Sequence, residues 1–143
     1  MGRVNKKVRA ILLVDHITGR QNSIVKKLEQ RNFAVAEVTT GRQAISILLS
    51  YPEELALVIV QANLPDMNPM DVVRHIRTDP KISNLPVVFS CIYLTGSLVQ
   101  EAAGLGVNGL LATPARDKAE EFNDEFENLL KKLKTNSLDI KAA

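Results

Sequence analysis

The sequence predicts one α/β domain, a parallel five-stranded sheet with helices on both faces. Five short apolar runs alternate with five segments of helical period, the pattern of repeated strand–helix crossovers. Two of the runs, Ala10–Val14 and Leu55–Val60, are apolar without alternation, as strands covered on both faces must be. The 143 residues, 45% apolar and 24% charged, suit a single soluble domain that buries its core without staples.

The elements follow in order. The strands are Ala10–Val14, Phe33–Val38, Leu55–Val60, Pro86–Cys91 and Gly109–Ala112. Thr18 with Gln21 reads as a capping box for the first helix, whose Ile24, Val25 and Leu28 form an apolar stripe. Asn32 stands where a left-handed terminator is wanted. Thr40 with Gln43 repeats the box, and Ala44, Ile47 and Leu48 face inward. Asn68-Pro69 reads as N-cap and first helical residue ahead of Met70, Val73 and Ile76, and Asp79-Pro80 ends that helix. The fourth helix, roughly Ser97 to Leu105, is weakened by Gly104 and Gly106. The last is capped by Asp117 and Glu120. Its Ala119, Phe122, Phe126, Leu129, Leu130 and Leu133 recur at helical spacing, with Lys131, Lys132 and Lys134 at its negative end.

Composition excludes several functions. Lys+Arg 18 against Asp+Glu 16 gives +2, too balanced for nucleic acid binding. One cysteine, Cys91, rules out an internal disulfide or a multi-cysteine zinc site, and two histidines make a His-rich metal centre improbable. No apolar run is long enough to span a membrane, and no signal peptide opens the chain, so a cytoplasmic location is expected. The expected organisation is a basic arm at 1–7, one domain at 8–134 and a disordered tail at 135–143.

Sites in such sheets lie beyond the carboxyl ends of the strands, here around Asp15, Gln61, Cys91 and Thr113. Asp15-His-Ile-Thr-Gly-Arg20 fits neither a dinucleotide fingerprint nor a Walker loop. Nucleotide binding is not supported.

Four stretches carry a resemblance. Ile11-Leu-Leu-Val-Asp15, Gln61-Ala-Asn-Leu-Pro-Asp-Met67, Asp79-Pro80 with Leu85-Pro-Val-Val88, and Leu105-Gly-Val-Asn-Gly-Leu-Leu-Ala-Thr-Pro114 resemble a bacterial response-regulator receiver domain. The resemblance covers about residues 8 to 134. It implies a flavodoxin-like three-layer sandwich with strand order 2-1-3-4-5, acting in two-component (phosphorelay) signalling. It also implies an acidic pair for Mg²⁺, an acceptor aspartate, a Ser or Thr, a Lys and an aromatic switch residue.

Here those positions read differently. The acidic pair is Asp15-His16, the acceptor is Gln61, the hydroxyl position is Cys91 with Ser90 beside it, the lysine position is Thr113 and the switch position is Leu110. An amide is no nucleophile for an acyl phosphate, and one carboxylate is a poor site for a hard divalent ion. The expectation is a degenerate pseudo-receiver: no catalytic residue, no metal, no cofactor, and a phosphorylation-independent role in protein interaction. The alternatives are a phospho-acceptor using a displaced carboxylate and a small-ligand or redox-sensing pseudo-receiver.

Other residues have competing readings. Gln61 is either a mimic of the phosphorylated state or a polar filler satisfied by its loop, the second being the commoner case. Asp66, next to Pro65, is expected to point to solvent. Cys91 and His16 could pair as a redox sensor, although a lone cysteine at a sheet end is usually a small buried hydrophobe. His75, between Arg74 and Arg77, reads as part of a solvated face. Arg3, Lys6, Lys7 and Arg9 read as solubilising, or as a contact for an acidic partner. Ile92, Tyr93 and Leu94, followed by Leu98 and Val99, put apolar residues in a loop, where an interface is one explanation and self-packing the other. The implied partner is a signalling protein, or a second copy through the fourth-helix and fifth-strand face, with no nucleic acid and no membrane.

Overall fold

The structure, a computed structural model, describes residues 9–19, 22–91, 95–112, 124, 126–129 and 131. The expected arm, the tail, the caps of the last helix, Thr113 and Ile92–Leu94 lie outside the described residues.

Five parallel strands form one sheet: β1 (Ala10–Val14), β2 (Val35–Val38), β3 (Leu55–Gln61), β4 (Val87–Cys91) and β5 (Gly109–Ala112). Their order is β2-β1-β3-β4-β5, as the resemblance implies. β3 and β4 are buried at every position, which is why their sequences show no alternation. The regular second strand is shorter than the expected Phe33–Val38: Phe33 makes only an isolated bridge, and Asn32 (φ 60°) ends the preceding helix just before it.

Four helices are described in full: α1 (Ser23–Gln30), α2 (Gly41–Ser50), α3 (Pro69–Thr78) and α4 (Gly96–Gly104). Helical residues 124, 126–129 and 131 include the buried Phe126. Asn68 caps α3 by accepting from Met70 N, and Pro69 opens it. Thr40 caps α2 by accepting from Gln43 N at 3.1 Å, but Gln43 Oε1 reciprocates to Thr39 N at 2.9 Å rather than to Thr40.

The start of α1 corrects the expectation. Its N-cap is Asn22, not Thr18; Asn22 Oδ1 accepts from Ile24 N and Val25 N, and Gly19 sits at φ 63° ahead of it. Asn is as good a cap as Thr, and only Asn carries an amide able to hold the preceding loop as well.

Two apolar layers sandwich the sheet. Leu12, Val14, Val58, Val60 and Phe89 pack with Ala44 and Leu48 of α2, Val73 and Ile76 of α3 and Ala102 of α4. On the other face Ile11, Leu13, Leu57, Ile59 and Val88 meet Ile24 and Leu28 of α1 and Phe126. Each large aliphatic side chain so withdrawn contributes about 1.5–3 kcal/mol. Arg31 pairs with Glu127 and lies 5.7 Å from the Phe126 ring centroid, joining α1 to the last helical residues.

Candidate functional site

The sheet's register brings the expected site residues to its carboxyl end. Val14 pairs with Val60, so Asp15 and Gln61 follow one step on, and Gln61 pairs with Ser90. These three polar residues are buried, with only 4%, 6% and 0% of their surfaces exposed, in a fold whose other buried residues are almost all apolar. Ser90 Oγ has no hydrogen-bond partner. Strand alternation puts Ser90 on the face of Val88 and Cys91 on the face of Phe89, so the hydroxyl beside Gln61 is Ser90's.

Asp15 is the one carboxylate of the expected acidic pair, and both its oxygens are engaged. Oδ1 accepts from Ile17 N and Oδ2 from Asn22 Nδ2, each at 3.0 Å. Asn22 Nδ2 also donates to Ile17 O at 2.7 Å. The sequence reading missed Asn22. Its signal was an Asn just ahead of the Ile24, Val25 and Leu28 stripe, passed over for the better-known Thr18–Gln21 spacing. His16 Nδ1 lies 3.6 Å from Asp15 Oδ1, with half of its side chain exposed.

Gln61 Oε1 accepts from the next backbone amide, Ala62 N, at 2.7 Å. The carboxamide oxygen thus closes its own loop. Leu110 is half-buried and packs on the α2–α3 side of the core, so the switch position is filled by an ordinary core residue.

Asp66 corrects the expectation of a solvent-directed side chain. The residue is exposed, but its oxygens accept from Gly41 N at 2.8 Å and Arg42 N at 3.0 Å, capping α2 from the β3–α3 loop. The Gly41 amide is the largest influence holding its carboxyl below the usual 3.8. The neighbouring Met67 packs where a side chain at Gly41 would stand: a Cβ there would fall 2.5 Å from Met67 Cγ.

The solvated face expected around His75 is corrected too. His75 is half-buried and its Nε2 is buried without a hydrogen-bond partner. Arg77 turns inward. Its Nε donates to Leu105 O, one terminal nitrogen to Ser83 O and Leu85 O, and the other to Gly106 O and Asn108 Oδ1. Burial pulls the guanidinium below the usual arginine range. Only Arg74 behaves as read, exposed and paired with Asp71.

Cys91 is buried, and desolvation pushes its thiol up from 9.0, away from the thiolate that redox chemistry needs. Leu98 packs against the core while Val99 is 39% exposed, so these two candidate interface residues divide between packing and surface.

The receiver resemblance implies a divalent metal here, and the residues do not fit one. Asp15 is a single carboxylate whose oxygens already brace its loop, Gln61 is a neutral amide with Oε1 accepting from Ala62 N, and His16 stands in place of the second acid. Among the described residues no group of three His, Cys, Asp or Glu could hold a metal ion.

A five-stranded parallel sheet in this order, with a polar row at its carboxyl end, defines a flavodoxin-like α/β domain. The family described as the response regulator receiver domain matches residues 11–121, and the chain belongs to it. It is 28% identical over 129 residues to the chemotaxis protein CheY-3 of Vibrio cholerae, covering 88% of this chain and 97% of that one. It is 27% identical over 124 residues to CheY of Pseudomonas aeruginosa, covering 86% and 97%. Among solved structures, chemotaxis response regulator CheY4 of Vibrio cholerae superposes with a TM-score of 0.71 at 19% identity, covering 86% of this chain and 99% of that one. Among the described residues no helix is long and apolar enough to cross a membrane.

Proposed function

We propose that the chain is a degenerate receiver, a phosphorylation-independent protein-interaction module in two-component signalling, with no catalytic residue of its own. One observation carries the reading: Gln61 stands at the end of β3 beside an Asp15 whose two oxygens are bound within its own loop. A carboxamide cannot form an acyl phosphate, and one carboxylate beside a neutral amide and a histidine is a poor site for Mg²⁺. The displaced-carboxylate alternative loses support because Asp66 is committed to the α2 amides. The redox alternative loses support from the raised Cys91 thiol.

Such a module signals by contact. We assign the contact to the fourth-helix and fifth-strand face, with Val99 exposed there and the sequence run Ile92-Tyr93-Leu94 leading into it. Light scattering across a concentration series, with and without beryllofluoride and Mg²⁺, tests the independence. The expected mass is the same in both, and Tyr93→Ser or Leu94→Ser lowers it wherever the wild type self-associates. A mass that changes with beryllofluoride overturns the proposal.

A further inference from the structure

At the opposite, amino-terminal end of the sheet lies a groove of about 620 Å³ that the receiver site does not use. At its floor the register between β1 and β3 shifts. Ala10 pairs with Leu55 and Ile11 with Leu57, skipping Ala56, and Ala56 and Leu57 therefore turn to the same core layer. The groove is lined by Arg9, Glu53 and Lys81 over Leu55, Ala56 and Pro86.

Its charge is unbalanced. Among the described residues none of Arg9, Glu53 and Lys81 has an ion-pair partner, so two cations and one acid face the same space without meeting. Of the acids next to these residues in sequence, Glu54 is exposed and absent from the lining, and Asp79 has its Oδ1 engaged by Lys81 N at 3.0 Å. The eight residues before Arg9 add Arg3, Lys6 and Lys7 and no acid, so this stretch of the chain supplies nothing to neutralise the groove.

The wall is also preformed. Ile82 N donates to Asp79 O and Leu85 N to Ile82 O, while Arg77 holds Ser83 O and Leu85 O from the core side. A loop ordered before binding spares a ligand the entropy of ordering it. The volume is that of a small-molecule site.

We propose that this groove binds a small anion bearing two or more negative oxygens, a phosphate compound or a polycarboxylate, spanning Arg9 and Lys81. Backbone amide shifts of the full chain, titrated separately with inorganic phosphate and with citrate at constant ionic strength, test it. Saturable shifts are expected at residues 53–56 and 81–85 and not at Asp15 or Ala62, with Kd of about 1 mM for at least one probe. The probe that saturates identifies the source, phosphate or carboxylate. Arg9→Gln or Lys81→Ala weakens binding about tenfold, the loss of one charge-assisted contact, and Glu53→Gln tightens it. Absence of saturable shifts up to about 20 mM of both probes overturns the proposal. So does an unchanged Kd in the Arg9→Gln, Lys81→Ala double variant, once its melting temperature shows that it folds.

Discussion

Asn22 Nδ2 donates to Asp15 Oδ2 at 3.0 Å, tying the cap of α1 to the last acid at the end of β1. A carboxylate at that point of a receiver is expected to face a metal, and here it closes a loop. Asn22→Ala removes a helix cap and leaves a buried carboxylate oxygen without its donor, so a loss of about 2 kcal/mol is expected. Urea unfolding with an unchanged m-value checks it. A loss under about 0.5 kcal/mol, the size of an ordinary surface change, contradicts the brace.

Asp66 gives a pH dependence. The Gly41 and Arg42 amides favour its ionised form and hold its folded pKa below 3.8. Its contribution to stability is complete above 3.8 and is lost as pH falls through the lower folded value. Asp66→Asn therefore lowers the urea midpoint at neutral pH, and the gap from wild type closes in the acid range. A gap independent of pH contradicts the capping role.

Arg77 offers a third test. Its donors hold four backbone carbonyls and Asn108 Oδ1, binding the end of α3 to the loops before β4 and β5. Arg77→Lys keeps the charge but cannot make the fork, and a loss of about 2 kcal/mol is expected, discounted for its partial exposure. Amide exchange should quicken first at Asn108, whose N–H meets Val87 O at 2.7 Å. Unchanged exchange there contradicts the clamp.

Millimolar Mg²⁺ should leave the melting temperature where matched ionic strength puts it, since a ligand stabilises only through selective binding to the folded state. A Mg²⁺-specific rise contradicts the reading of the pocket as too poor in carboxylates for a divalent ion. Gln61→Asp with Thr113→Lys should restore part of the metal response, still short of the second acid at His16.

The sheet and its helices were legible in the sequence because burial writes itself as period: unbroken apolar runs for β1 and β3, and a stripe at helical spacing for α1. The caps at Asn68 and Asn32 were legible for the same local reason. What stayed hidden is non-local. Asp66 reaches an amide 25 residues away and Arg77 a carbonyl 28 residues away, and no spacing rule announces either. Asn22 lost to Thr18 because both suit an N-cap and only tertiary contact with Asp15 decides between them.

The central claim is that the site takes no phosphoryl group. Intact-mass measurement after incubation with acetyl phosphate and Mg²⁺, with Gln61→Asp, Thr113→Lys run alongside, tests it most directly. The account predicts the unmodified mass for the wild-type chain under conditions that phosphorylate a receiver with an intact site. A phosphoryl adduct on the wild type, mapped to Asp15 or Asp66, would contradict it.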